Sequence, residues 1–177
     1  MLYRLLSHLL DYPSREYYQN LDELHAVTQS DDSLTDETRQ TLQTFIKQSQ
    51  SLSLTALQEQ YVNTFDMNEN HSLLLTHHTL GDDRGRGPAL IELDEHYKEN
   101  GFEVNGNREL PDYLPLILEY VSTLDKTEAN WFLSQMKRVL QLLAENLENA
   151  NSIYASLIRL VEAQAVLIQP ADKANAP

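Results

Sequence analysis

"DKTEANWFLSQMKRVLQLLAENL", residues 125–147, spaces Ala129, Phe132, Met136, Val139 or Leu140, Leu143 and Leu147 three and four apart. That is the period of one face of an α-helix, and Asp125 with Glu128 supplies a start signal in front of it. The same period recurs on both sides. Leu2, Leu5, Leu6 and Leu9 share a face of an opening helix that Pro13 ends. A second helix is expected after Ser14, with Tyr17, Leu21, Leu24 and Thr28 in register, and a third over about 35–49 with Leu42, Phe45 and Ile46. Thr55 and Gln58 form a capping-box pattern ahead of Leu57, Tyr61, Val62 and Phe65.

Pro88 and Gly101 bracket a further helix, with proline at its first position and glycine just past its end. Asp112 is expected to cap a helix running to about Thr123, and a last helix carries Ile153, Leu157, Val161 and Ala165 from about Ser152 to Ile168. No stretch alternates with period two for long enough to found a sheet; "FEVNG" (102–106) comes nearest. The expected fold is an all-α single-domain bundle of about seven or eight helices over residues 1–168, with 169–177 a frayed C-terminal tail.

At 177 residues and 41% hydrophobic content, the chain suits one domain with one core. It has no cysteine, which excludes disulfides, thiolate nucleophiles and cysteine-ligated metals. Its formal net charge of −14 repels nucleic acid and anionic lipid and favours cationic partners. Arg4 and His8 interrupt the N-terminal leucines, so neither a signal peptide nor a membrane span is expected, and the chain reads as soluble.

The segment "THHTLGDDRGRGPAL" (76–90) concentrates glycine, histidine, aspartate and arginine. Its glycines lack the spacing and the Lys-Ser/Thr ending of a phosphate loop, and Asp82 and Asp83 oppose a phosphate. His71, His77, His78 and His96 lie near acidic residues in sequence but form no His-Glu-x-x-His pair. No Gly-x-Ser-x-Gly elbow appears, and no nucleophile with its base can be named. The reading is therefore no catalytic site, no metal and no cofactor. The competing reading is a helical metal-binding or hydrolytic protein using the four histidines.

A second segment, "ELPDYLPLILEY" (109–120), places Tyr113, Ile117, Tyr120 and Leu124 on one stripe, widened by Leu114, Leu118 and Val121. Leu116 and Glu119 point to the other side, and with Asp112 they are expected to line a groove with an apolar floor and an acidic rim.

Together with "YVNTFD" (61–66) and "SLLLTHHTLGDDRGRG" (72–87), this segment resembles the delta-subunit assembly chaperones of respiratory nitrate reductase, within the wider redox-enzyme maturation proteins that serve molybdoenzymes. The three motifs fall in the family's order and cover the middle third of the chain. The resemblance implies a cytoplasmic, non-enzymatic, all-helical chaperone. Its partner would be the N-terminal peptide of the catalytic (alpha) subunit of a membrane nitrate reductase, held competent for molybdenum-cofactor insertion and kept from early membrane attachment. It implies no nucleic acid and no direct membrane insertion. The match carries peptide-binding roles to Tyr61, Phe65, Asp82, Arg84, Arg86, Asp112, Leu116, Glu119 and Tyr120. Asp112 and Glu119 would be the acidic contacts, and residues 81–87 would shape the rim. Relatives often carry His-x-His before the shared glycine, where this chain has His78 and Leu80, and often a histidine where Tyr113 stands. No imidazole role is carried to those two positions.

Overall fold

Helices begin where the sequence offers a side-chain oxygen to their first free N–H groups. In the computed structural model, which describes residues 1–81, 84–104 and 109–166, Ser14, Thr35, Ser53 and Asp125 each accept a backbone N–H two or three residues on. The α-helical segments are α1 (Leu2–Leu10), α2 (Arg15–Gln19), α3 (Leu21–Ser30), α4 (Asp36–Gln50), α5 (Leu54–Tyr61) and α6 (His77–Leu80). They continue with α7 (Arg86–Glu99), α8 (Leu114–Val121), α9 (Lys126–Ser134), α10 (Lys137–Asn149) and α11 (Ala155–Gln164). A π-turn, Val62–Asp66, extends α5, and a 3-10 turn spans Glu69–His71. Among the described residues the only β-pairing is an isolated antiparallel bridge between Leu74 and Tyr113. The all-α expectation holds, with more and shorter helices than the seven or eight read from the period.

Each difference has a local cause. The helix expected through 14–28 breaks at Asn20, whose φ −90° and ψ 0° end α2 and start α3. The long helix from Asp125 breaks at Gln135 and Met136. There the Ser134 hydroxyl donates to the Trp131 carbonyl at 2.6 Å, competing with the helical ladder. The apolar seam nevertheless continues, because Leu140, Leu143 and Leu147 stay buried on α10. Ser53, not Thr55, caps α5. α7 starts two residues before Pro88, which still leaves the proline among the first N–H positions that need no partner. Gly101, at φ +73°, ends α7 in the left-handed conformation expected of it. α11 opens at Ala155 rather than Ser152. Residues 167–177, including the tail, lie outside the described residues.

α11 is central. It packs against α10, α1, α4 and α9, and buries Ala155, Leu157, Ile158 and Val161. α1 lies along α8, joining Leu5, Leu6, Leu9 and Leu10 to Leu114, Ile117, Leu118 and Val121 in the core. α8 is buried on nearly every side, with Glu119 its one exposed residue. That is why the expected two-faced helix is not found: Leu116 is 5% and Tyr120 1% exposed.

Leu6 sits fully buried in this core. Leu6→Ala is expected to cost about 2–5 kcal/mol in urea unfolding. Leu142→Ala, at a residue 45% exposed, should change stability by no more than about 0.5 kcal/mol.

Candidate functional site

The three motif segments meet at one crossing. Residues 73–75 run antiparallel to 112–114, with the Leu75 N–H donating to the Asp112 carbonyl at 3.0 Å and the Leu114 N–H to the Leu73 carbonyl at 2.8 Å. Alternation along this extended stretch buries Leu73 and Leu75 and leaves Leu74 and Thr76 half-buried.

Asp112 lies beneath, 1% exposed. It does not cap α8; Tyr113 occupies that position and makes no side-chain cap bond. Its Oδ2 instead accepts the Thr76 backbone N–H at 3.1 Å and the Thr76 hydroxyl at 2.6 Å. Arg86, the first residue of α7, donates from Nε to the Thr76 hydroxyl at 3.1 Å and holds Nη2 3.7 Å from the same Oδ2. One buried carboxyl thus ties the 72–80 segment, the start of α7 and the entry to α8. Tyr97 of α7 adds a hydroxyl bond to the Pro111 carbonyl at 2.8 Å.

In front of the crossing the Tyr113 hydroxyl donates to Asp11 Oδ1 at 3.0 Å. The Tyr61 and Tyr113 hydroxyls lie 2.8 Å apart, and that of Tyr61 also donates to the Leu10 carbonyl at 3.2 Å. The two phenols have two protons for these three contacts; with Tyr113 donating to Asp11, the single Tyr61 proton is shared between the Leu10 carbonyl and the Tyr113 hydroxyl. Burial, foremost, pushes both phenols above their ordinary value, and the nearby Asp11 adds to it. Both therefore stay neutral across the physiological range.

Tyr61, Phe65, Asp66, Ser72, Leu73, Leu74 and Tyr113 line a cleft of about 390 Å³ at this point. Tyr12, 44% exposed, meets Tyr61 edge-on at 5.5 Å. Glu109 is exposed, and its carboxyl is raised by partial burial and then by the fields of Asp11 and Glu119. Glu109 thus feels the charges of Asp11 and Glu119. A larger cleft of about 780 Å³ lies among α4, α10 and α11 and contains no residue of the three motifs.

Of the residues expected to bind peptide, Tyr61 and Phe65 line the cleft with only 4% and 5% of their surface exposed, Glu119 and Arg84 are exposed, and Arg86 is half-buried against Thr76. Asp112, Leu116 and Tyr120 are buried, so the groove expected along Asp112, Leu116 and Glu119 is not formed. Asp82 lies outside the described residues. The pattern reading missed Leu73, Leu74, Asp66, Asp11 and Tyr113 as neighbours of the cleft. Tyr113 carried a signal, as a departure from the family pattern, whereas Asp11 was hidden by its distance along the chain.

The histidines do not converge. His71 Nδ1 lies 3.1 Å from the Thr64 carbonyl and His78 Nε2 2.7 Å from that of Ser72. Burial holds the His78 imidazole below its ordinary value. His96 Nε2 meets the Tyr120 hydroxyl at 2.9 Å, and its ring stacks on Phe132 at 5.4 Å. Among the described residues no three His, Asp or Glu groups come together as metal ligands would.

Comparison with known proteins identifies the family. The family model described as nitrate reductase delta subunit matches residues 28–169. The nitrate reductase molybdenum cofactor assembly chaperone NarJ of Escherichia coli (strain K12) is 34% identical over 157 residues, covering 89% of this chain and 66% of that protein. The chain thus spans just under two thirds of that relative's length. The probable nitrate reductase molybdenum cofactor assembly chaperone NarJ of Bacillus subtilis (strain 168) is 35% identical over 156 residues, 88% of this chain and 83% of that one. A crystal structure described as that of a redox enzyme maturation protein from Archaeoglobus fulgidus superposes with a TM-score of 0.66, at 20% identity over 91% of this chain and 90% of the other. That likeness speaks for the fold.

Asp112→Ala leaves the Thr76 N–H and the Arg86 guanidinium facing a buried gap, and is expected to cost about 3–5 kcal/mol in denaturant unfolding. Asp112→Asn keeps one acceptor and should cost less. Glu109 gives the opposite sign. Its raised value means that the folded state favours the protonated form, so its contribution is lost as pH rises through that value. Glu109→Gln is therefore expected to raise Tm at pH 7, with the gain vanishing below about pH 4 in a thermal-melt series.

Proposed function

The chain belongs to the nitrate reductase delta subunit family, and on that premise we propose that it is an assembly chaperone for a membrane respiratory nitrate reductase. It binds the N-terminal segment of the catalytic (alpha) subunit, keeps that subunit competent for molybdenum-cofactor insertion, and delays its attachment to the membrane partner. It works in the cytoplasm. No helix among the described residues is long and apolar enough to cross a membrane. The cofactor goes into the client, and no site for it is assigned to this chain.

The observation that carries this reading is the meeting of all three motif segments at one partly apolar cleft with carboxyl groups beside it, on a chain of net charge −14. An apolar floor accepts the buried face of an amphipathic segment, and the acidic surround speeds encounter with a cationic one. Tyr61 and Phe65 meet the client from the floor, while Glu119 and Arg84 act from the exposed surface. Asp112, Arg86, Leu116 and Tyr120 hold the crossing from behind. Asp82 keeps its place among the candidates.

Calorimetric titration with a synthetic peptide of the catalytic subunit's N-terminus tests this. The expected result is saturable binding with Kd near or below about 1 µM, or −8 kcal/mol, weakening as salt rises. Leu74→Arg, which places bulk and positive charge on the cleft wall, should weaken it more than about tenfold with its melting transition retained. No binding by the intact protein, or equal binding by the folded Leu74→Arg variant, contradicts the reading.

A further inference from the structure

Residues 62–66 continue α5 as a π-turn and end the helix. From Val62 to Asp66 the chain takes a π-turn, with the Met67 N–H reaching the Val62 carbonyl at 3.0 Å, five residues back. Such turns are rare and cluster at functional sites. Local bonds offset the disturbance to the ladder: the Thr64 hydroxyl donates to the Gln60 carbonyl at 2.7 Å, and His71 Nδ1 meets the Thr64 carbonyl. Phe65 is held between Tyr61 and Tyr154, with ring centroids 4.9 and 4.8 Å away.

The consequence falls on Asp66. An α-helix turns about 100° per residue, which would put a residue five positions after Tyr61 roughly 140° round from it, facing away from the cleft. The wider π-turn brings the fifth residue much closer to the line of the first. Tyr61, Phe65 and Asp66 therefore all line the same cleft. Asp66 is the one carboxyl in that lining, and the side chain is exposed. Among the described residues it enters no side-chain hydrogen bond and no salt bridge, unlike Asp112 behind the crossing and Asp11 beside it.

We infer that the π-turn is a positioning device that sets Asp66 at the lip of the cleft as a specificity-determining contact, pairing with a lysine or arginine of the segment seated there. This rests on the chaperone reading and adds the residue that reads the client's charge. The apolar lining selects an amphipathic segment, and Asp66 selects among such segments those that carry a cation beside the buried face. An arginine there is favoured, because its guanidinium meets a carboxylate with two parallel hydrogen bonds.

The test is calorimetric titration of the full chain and of Asp66→Asn with two peptides at low and moderate salt. One is the N-terminal peptide of the catalytic subunit, and the other is the same peptide with every Lys and Arg replaced by Gln. Asp66→Asn is expected to weaken the charged peptide about three- to tenfold and to flatten its salt dependence. It should leave affinity for the neutral peptide unchanged. Deleting Asn63 removes the extra residue of the turn, and is expected to reproduce the loss for the charged peptide in a protein that still unfolds cooperatively. If that deletion prevents folding, the two peptides on Asp66→Asn still decide. Equal binding of the charged peptide by wild type and Asp66→Asn overturns the inference alone, as does an equal loss for both peptides. Wild-type protein that binds neither peptide overturns the chaperone reading as well.

Discussion

A carboxyl group removed from water must be met by donors, or its burial costs several kcal/mol. Asp112 is such a group, and its donors come from outside its own helix: Thr76, thirty-six positions away, and behind it Arg86. The two backbone bonds of the crossing lie beside it, so the path of residues 72–76 over the entry to α8 is set by one polar cluster. α8 is in turn packed along α1. The cleft therefore has a rigid wall, Leu73, Leu74 and Tyr113, anchored to the core from behind.

This arrangement divides labour between neighbouring residues. Asp112, Leu116 and Tyr120 are buried and Arg86 half-buried in the scaffold, while Glu109 and Glu119 are exposed and Asp11 is half-buried beneath the Tyr113 hydroxyl. Asp11, Glu109 and Glu119 share one field, and Glu109 gains nothing in stability from being there.

The helices were legible in the sequence because burial imposes a 3.6-residue period, and the seams of α4, α8, α10 and α11 follow it. The breaks at Asn20 and at Met136 were not, because the apolar spacing runs through both while the backbone changes direction. Local pattern made Asp112 the cap of α8, but Tyr113 holds that place, since a cap is a local guess and Thr76 is a distant partner. Glu119 alone pointed to the outer face of α8, because a helix wrapped by α1, α9 and the 72–76 crossing buries both stripes. The "YVNTFD" stretch gave no sign of its backbone geometry. A π-turn leaves no periodic trace over five residues, so the reach of Asp66 into the cleft appears only in the folded chain.

A client seated in the cleft at the crossing would shield the backbone there from solvent. Hydrogen–deuterium exchange on the protein alone and with the catalytic subunit's N-terminal peptide tests it most directly. Slower exchange on binding is expected at residues 61–67, 72–76 and 109–114, with the face formed by α4 and the outer side of α11 unchanged. Protection confined to that α4–α11 face, with the crossing exchanging as it does in the free protein, would contradict it.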